Sequence, residues 1–227
     1  MAVLGIALFS TLGTWQVFRA LEKQQLQQEM EQKRQQATFF LNQDPESIEK
    51  RKFTRIEVMG YFDSKGEILI DNIKQDGKAG YHVLTPLKIE NSDKVIIINR
   101  GWVPLGRDRN TLPEISIADG LVTIKGMLSP PRSKPPLILG KLDTSSRVWL
   151  YFDAEKYAEK FNYRLLPLVV LQDADDAGGF VRKWPEYDAR VSMHVGYAIQ
   201  WYVFALIVLV TYIGVNLRKV KQEDNGS

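Results

Sequence analysis

Two runs without a charged side chain, residues 1–18 and 195–217, bracket this chain and constrain its fold more than anything between them. At 1.5 Å of rise per residue the second run makes a helix of roughly 35 Å, which crosses a hydrocarbon core of about 30 Å with some tilt. The first reaches only about 27 Å, so it spans only if residues 16–19 snorkel or the native chain starts earlier. Read as a cleaved signal peptide it lacks a basic lead-in, and Gly13-Thr14-Trp15-Gln16 is a poor cleavage site, so a retained anchor is the expectation. Two spans put both termini on one side and the middle of the chain on the other. Arg218, Lys219 and Lys221 directly follow the second span, which the positive-inside rule assigns to the cytoplasm. Arg19 and Lys23 argue the reverse for the first span, from a sparser cluster; the tail prevails, and the middle faces the periplasm or an equivalent compartment.

The expected organisation is a transmembrane helix over 1–18, a juxtamembrane polar helix over 19–42, a β-rich domain over 43–190, a second transmembrane helix over 191–217 and a cytoplasmic tail over 218–227. The stretch "RALEKQQLQQEMEQKRQQATFFL" has no Gly or Pro and is rich in helix formers, so the first helix should run on to about Leu41, where "NQDPES" ends it. Short apolar or alternating runs follow: "FTRIEVMGYF", "EILIDNIK", "YHVLTPLKI", "KVIIINRGWVPL", "GLVTIKGMLS" and "RVWLYFD". Gly, Pro, Asn and Asp separate them, as in "DSKGE", "IENSDK" and "SPPRSKPP". Then "DAEKYAEKFN" reads as a helix capped by Asp153, and "LLPLVVLQD" as one more buried strand. The fold class is membrane-anchored α+β: two transmembrane helices flanking a mainly antiparallel barrel-like or sandwich-like domain. Trp184, Tyr187, Tyr197, Trp201 and Tyr202 have the rings that favour a membrane interface, Trp201 lying deeper than the rest.

Composition narrows the chemistry. There is no cysteine, which removes thiolate nucleophiles and soft metal ligands, and a net charge of +3 offers no basic face for nucleic acid. G-x-S-x-G, H-E-x-x-H, Walker-type and G-x-G-x-x-G loops are all missing, and Asp143, Asp153 and Asp173 are scattered as turn and cap residues. His194, one residue before the charge-free run, has two readings: an axial ligand for haem iron at the bilayer boundary, or an interfacial polar residue at a helix start. On an ideal helix Ala198, Trp201 and Ala205 share its face, which suits either a flat macrocycle or close packing against the first helix. Gln200, strongly polar inside the span, should seek a hydrogen-bond partner from the first helix or another protein. Arg100 in "INRGWVP" reads either as a pairing group for a carboxylate such as a haem propionate, or as a strand exit where Gly101 supplies a bulge. His82 reads as a strand residue facing solvent or a barrel rim.

Taken in order, "LGTWQVFRALEK", "GYHVLTPL", "NRGWVP" and "HVGYAIQWYVFA" resemble the Surfeit locus protein 1 family of cytochrome c oxidase assembly factors. The resemblance covers nearly the whole chain. It implies a non-enzymatic chaperone of respiratory complex IV biogenesis that assists delivery of haem a to subunit one of the oxidase, or its stabilisation there. The alternative is a cofactor-free membrane scaffold for an early assembly intermediate. The bilayer, oxidase subunit one and haem a synthase are the expected partners. By the same resemblance His194 is the haem-associated histidine, hence the metal ligand, and Gly13, Trp15, Gln16 and Arg19 form the family's first motif; Trp15 and Gln16, with Tyr197, Trp201 and Arg100 from the reading of the residues themselves, are the other cofactor-contacting candidates. No mitochondrial targeting segment is evident, so a bacterial inner membrane is expected ahead of a mitochondrial one.

Overall fold

The computed structural model describes residues 1–106, 111–132, 142–174, 179–184 and 190–224, with side chains to Arg218. Tyr187 and the side chains of Lys219 and Lys221 lie outside what is described. The chain divides into a helix pair, drawn from its two ends, and a β domain from its middle.

The helix pair consists of α1 (Ala2–Arg34) and α3 (Val191–Asp224), each long and apolar enough to cross a membrane. They run antiparallel: Gly5 faces Val208, Phe9 faces Phe204 and Trp201, Gly13 and Thr14 face Tyr202, and Gln16 faces His194. On α3 the seam follows His194, Ala198, Trp201, Ala205 and Val208, a spacing of three and four residues that keeps one stripe toward the partner. Ala198 and Ala205 are buried, so the small residues serve close helix approach. Ile199, Leu206 and Val210 point outward, a surface that hydrocarbon solvates and water does not. Gln200 is exposed and lies about 200° round the helix from Ala198, which turns it away from the seam and so from the first of its two expected partners, the first helix or another protein. Helix α1 ends at Arg34, well short of Leu41. Propensity favours continuation, yet Phe39–Phe40 (β1) pair with the next strand and Leu41 is fully buried, so tertiary burial sets the helix end.

In the β domain, Arg55–Phe62 (β2), Ile68–Gln75 (β3), Lys78–Ile89 (β4), Lys94–Pro104 (β5), Leu121–Ser129 (β6) and Arg164–Gln172 (β8) match the runs read from sequence. The segment around Trp149 forms only Val148–Trp149 (β7), because Trp149, Tyr151 and Phe152 all turn into one apolar cluster instead of alternating across a ladder. Strands pair in the order β1-β2-β6-β8-β5-β4-β3-β7, and a further β2–β4 pairing closes a ring of β2, β6, β8, β5 and β4. Gly60 makes the closure feasible: it pairs with both β6 and β4, and a Cβ there would fall 2.2 Å from the Lys88 carbonyl oxygen. Most pairs are antiparallel, with β1–β2, β3–β7 and β5–β8 parallel.

Leu69, Tyr81, Val83 and Val103 make a small cluster, and alternation along the strands separates two larger cores. Ile56, Val58, Leu87, Ile96, Ile98, Leu168 and Val170 fill one, joined by Leu41 and Ile48. Ile97 and Val169, one residue out of phase, face the other beneath α2 (Ala154–Phe161) with Trp149, Phe152 and Tyr157. Asp153 caps α2 by accepting from the Lys156 amide, and Asn162 closes it in the left-handed region at φ 54°. The Tyr157 hydroxyl donates to the Gly66 carbonyl; burial pushes its pKa above the ordinary tyrosine range, so it stays protonated as that donor.

Candidate functional site

Helix α3 starts at Val191, which places His194 inside its first turn, where the His194 amide donates to the Arg190 carbonyl. The ring is therefore not occupied in capping. Its Nδ1 lies 2.8 Å from Gln16 Oε1 across the seam. With that oxygen accepting, Nδ1 carries the proton and Nε2 keeps its lone pair, the tautomer of an imidazole ready to ligate a metal. Both side chains are partly buried.

One turn along α1, Gly13 gives the pair its spacing. A Cβ at Gly13 would sit 3.0 Å from the Tyr202 ring, and the neighbouring Thr14 hydroxyl hydrogen bonds the Tyr202 hydroxyl at 2.9 Å. Trp201 stacks on Phe9, with ring centroids 5.8 Å apart and planes 17° from parallel, and meets Phe204 edge-on. Trp201 therefore belongs to the helix packing about two turns from His194. Trp15 and Tyr197 are 53% and 47% exposed, and Trp15 carries the Arg19 guanidinium 6.0 Å from its ring centroid. Of the residues singled out in the two helices, the structure brings His194 and Gln16 together and turns Trp15 and Tyr197 outward. Phe9 and Thr14 complete the seam; their signal in the sequence is the four-residue step from Gly5 through Phe9 to Gly13.

Arg100 lies in the β domain, at a bulge. Val83 pairs with Gly101 and Leu84 with Asn99, which leaves Arg100 as the extra residue, and Gly101 takes φ +126°, closed to other residues without strain. Phe180 and Arg182 crowd the position a Gly101 Cβ would need. The Arg100 guanidinium is buried, 3.7 Å from Glu67 and donating to the Ser116 carbonyl at 2.8 Å. Phe62 and Phe180 lie against it, at 5.2 and 4.6 Å to the ring centroids. Glu67 also takes an ion pair from Arg147 and a 3.1 Å hydrogen bond from Thr85. Burial pulls the Arg100 pKa below its ordinary value, Glu67 opposing and Arg182 adding to the fall, but a guanidinium stays charged at neutral pH. The carboxylate that Arg100 was expected to seek is thus supplied by Glu67 of the same domain. Sequence reading passed over Glu67; its signal was an acid opening the apolar run "EILI".

His82, expected to face solvent or a barrel rim, is not fully exposed to solvent. It is partly buried, meets Trp184 edge-on at 5.6 Å and lies 3.4 Å from Asn99 Nδ2. Burial first, then the charge of Arg132, push its pKa down to about 4, so it is neutral at physiological pH.

Were haem bound at the helix pair, His194, its ring held by Gln16, would be the side chain to supply a nitrogen to the iron. Among the described residues no group of three or more His, Cys, Asp or Glu could enclose a metal ion. The chain is 28% identical to Surfeit locus protein 1 of Xenopus tropicalis, over 94% of this chain and 73% of that protein. It is 25% identical to a SURF1-like protein of Caenorhabditis elegans, over 89% of this chain and 69% of that one. It is also 25% identical to the cytochrome oxidase assembly protein SHY1 of Saccharomyces cerevisiae, over 73% of this chain and 44% of that protein. The match to the SURF1 family runs over residues 3–206, taking in α1, the β domain and the His194 end of α3, and the chain belongs to that family.

Proposed function

We propose that this chain is a membrane-anchored assembly factor for cytochrome oxidase that presents His194 as a transient axial ligand to haem a on its way to subunit one. The observation that carries the haem step is the 2.8 Å Nδ1···Oε1 contact between His194 and Gln16. A single imidazole on a bilayer-spanning helix suits cargo: one ligand binds iron without enclosing it, so the group can be passed on. When bound, haem supplies the iron that accepts the Nε2 lone pair. Gln16 holds the Nδ1 proton and orients the ring. No catalytic step by the chain itself is needed. The relative from yeast, named for oxidase assembly, supports the coarse role. The basic cluster after the second span supports a domain in the periplasm of a bacterial inner membrane, with haem a synthase as the natural upstream contact.

A second reading, a scaffold without cofactor, is favoured by one observation: Ala198, Trp201 and Ala205, candidates to floor a macrocycle, are used in helix packing. The absorption spectrum of the chain purified from cells that make haem a separates the two. Bound haem in the wild type, lost in His194→Ala and weakened about 10- to 100-fold in Gln16→Leu, supports the ligand role. An unchanged spectrum in His194→Ala removes it, and oxidase subunits co-purifying without haem establish the scaffold.

A further inference from the structure

The β domain holds a cavity of about 370 Å³, bounded by β3, β4, β5, β8 and the segment 150–152, that the oxidase reading does not use. Its volume lies at the small end of ligand pockets, which run from about 300 Å³. Ile73, Leu84, Phe152 and Val169 make an apolar wall. Polar groups share the lining with it: His82, Asn99, Asp71 and Arg132. Asn99 Oδ1 accepts from the Gly101 amide at 3.3 Å, which turns Asn99 Nδ2 toward His82 Nδ1 at 3.4 Å. With Nδ1 accepting, the His82 proton sits on Nε2, a neutral N–H donor, since burial keeps the ring uncharged. Arg132 stands at the exposed edge of the cavity and makes no ion pair among the described residues. The acid at the lining, Asp71, curls back on the β3 bulge: its Oδ1 accepts from the Asn72 amide at 2.6 Å, where Asn72 takes φ +61°.

An apolar wall, a neutral donor and a cation at the edge are the complement of a molecule with an apolar body and an anionic, acceptor-rich head. We propose that this cavity binds a small amphiphilic carboxylate, its body against Leu84, Phe152 and Val169 and its head between Arg132 and His82. The site is independent of the helix pair and of the haem reading.

Calorimetric titration of the full chain in lipid nanodiscs, with empty discs as the blank, tests it using 2-naphthoate and its neutral counterpart 2-naphthamide. Saturable one-to-one binding of 2-naphthoate is expected, weakened about tenfold by Arg132→Gln, with 2-naphthamide binding the same in both. Val169→Phe, which fills the cavity, should abolish binding of both probes. Absence of saturable 2-naphthoate binding to the wild type, or an affinity that Arg132→Gln leaves unchanged, overturns the proposal. So does binding retained by a Val169→Phe protein that melts as the wild type does. Arg132 is exposed, so its variant decides the matter even where Val169→Phe fails to fold.

Discussion

A histidine that donates from Nδ1 has one lone pair left, and at the residue scale the partner of each imidazole decides what it can do. Gln16 accepts from His194 and leaves the Nε2 lone pair unused; Asn99 donates to His82 and leaves Nε2 an N–H donor. His82 also makes a pH prediction. Its pKa is 6.5 in an ordinary setting and about 4 in the fold, so below pH 6.5 the unfolded chain takes up the proton first. Stability from this residue is therefore complete above pH 6.5, falls as pH drops, and levels off below pH 4, a loss of at most about 3 kcal/mol at 1.36 kcal/mol per unit. Denaturant melts of wild type and His82→Gln across that range should converge toward acid pH; a difference that stays constant contradicts a neutral, buried His82. Glu67 carries the opposite charge logic. It is the shared acid of Arg100, Arg147 and Thr85, and Glu67→Gln leaves Arg100 buried without its countercharge. A loss of about 3–5 kcal/mol in the same melts is expected, whereas less than about 1 kcal/mol would mean that solvent already screens the pair.

Elements pair here where side chains leave room for them. A Cβ at Gly13 would meet the Tyr202 ring and one at Gly5 would lie 3.7 Å from Val208, so α1 turns its glycine face toward α3. The chain has no cysteine, which makes a cross-link easy to read. Gly5→Cys with Val208→Cys should form a disulfide on oxidation, so that α1 and α3 stay joined after proteolysis between them. Adding Gly13→Leu should abolish the link, and a link that survives it would contradict the packing. The strands were largely legible in sequence because a half-buried ladder writes its alternation into each run, as in Ile96-Ile97-Ile98, whose odd and even members enter different cores. The end of α1 was not, because Phe39 and Leu41 leave the helix for contacts with partners distant in sequence. Parallel pairs such as β5–β8 leave no local trace, since no turn joins the two strands. His194 and Gln16 were each visible as motif residues, but their pairing was not: 178 positions separate them, and only the antiparallel seam brings them together.

For the whole molecule, the sequence divides two tasks between two units. The helix pair has apolar side chains facing outward along its spans, as a bilayer requires, and among the described residues two polar contacts between helices, Thr14 with Tyr202 and Gln16 with His194. The β domain has a closed ring of strands, its own apolar clusters and an internal charge network in which Glu67 is shared by Arg100 and Arg147. Membership of the SURF1 family joins the two in one protein, and the account places the haem step in the helices. The direct test is the haem a content of cytochrome oxidase in membranes of a strain deleted for this chain, complemented in turn by wild type and by His194→Ala, with expression of both confirmed. The account predicts restoration by the wild type and only residual haem a with His194→Ala; full restoration by His194→Ala would contradict it.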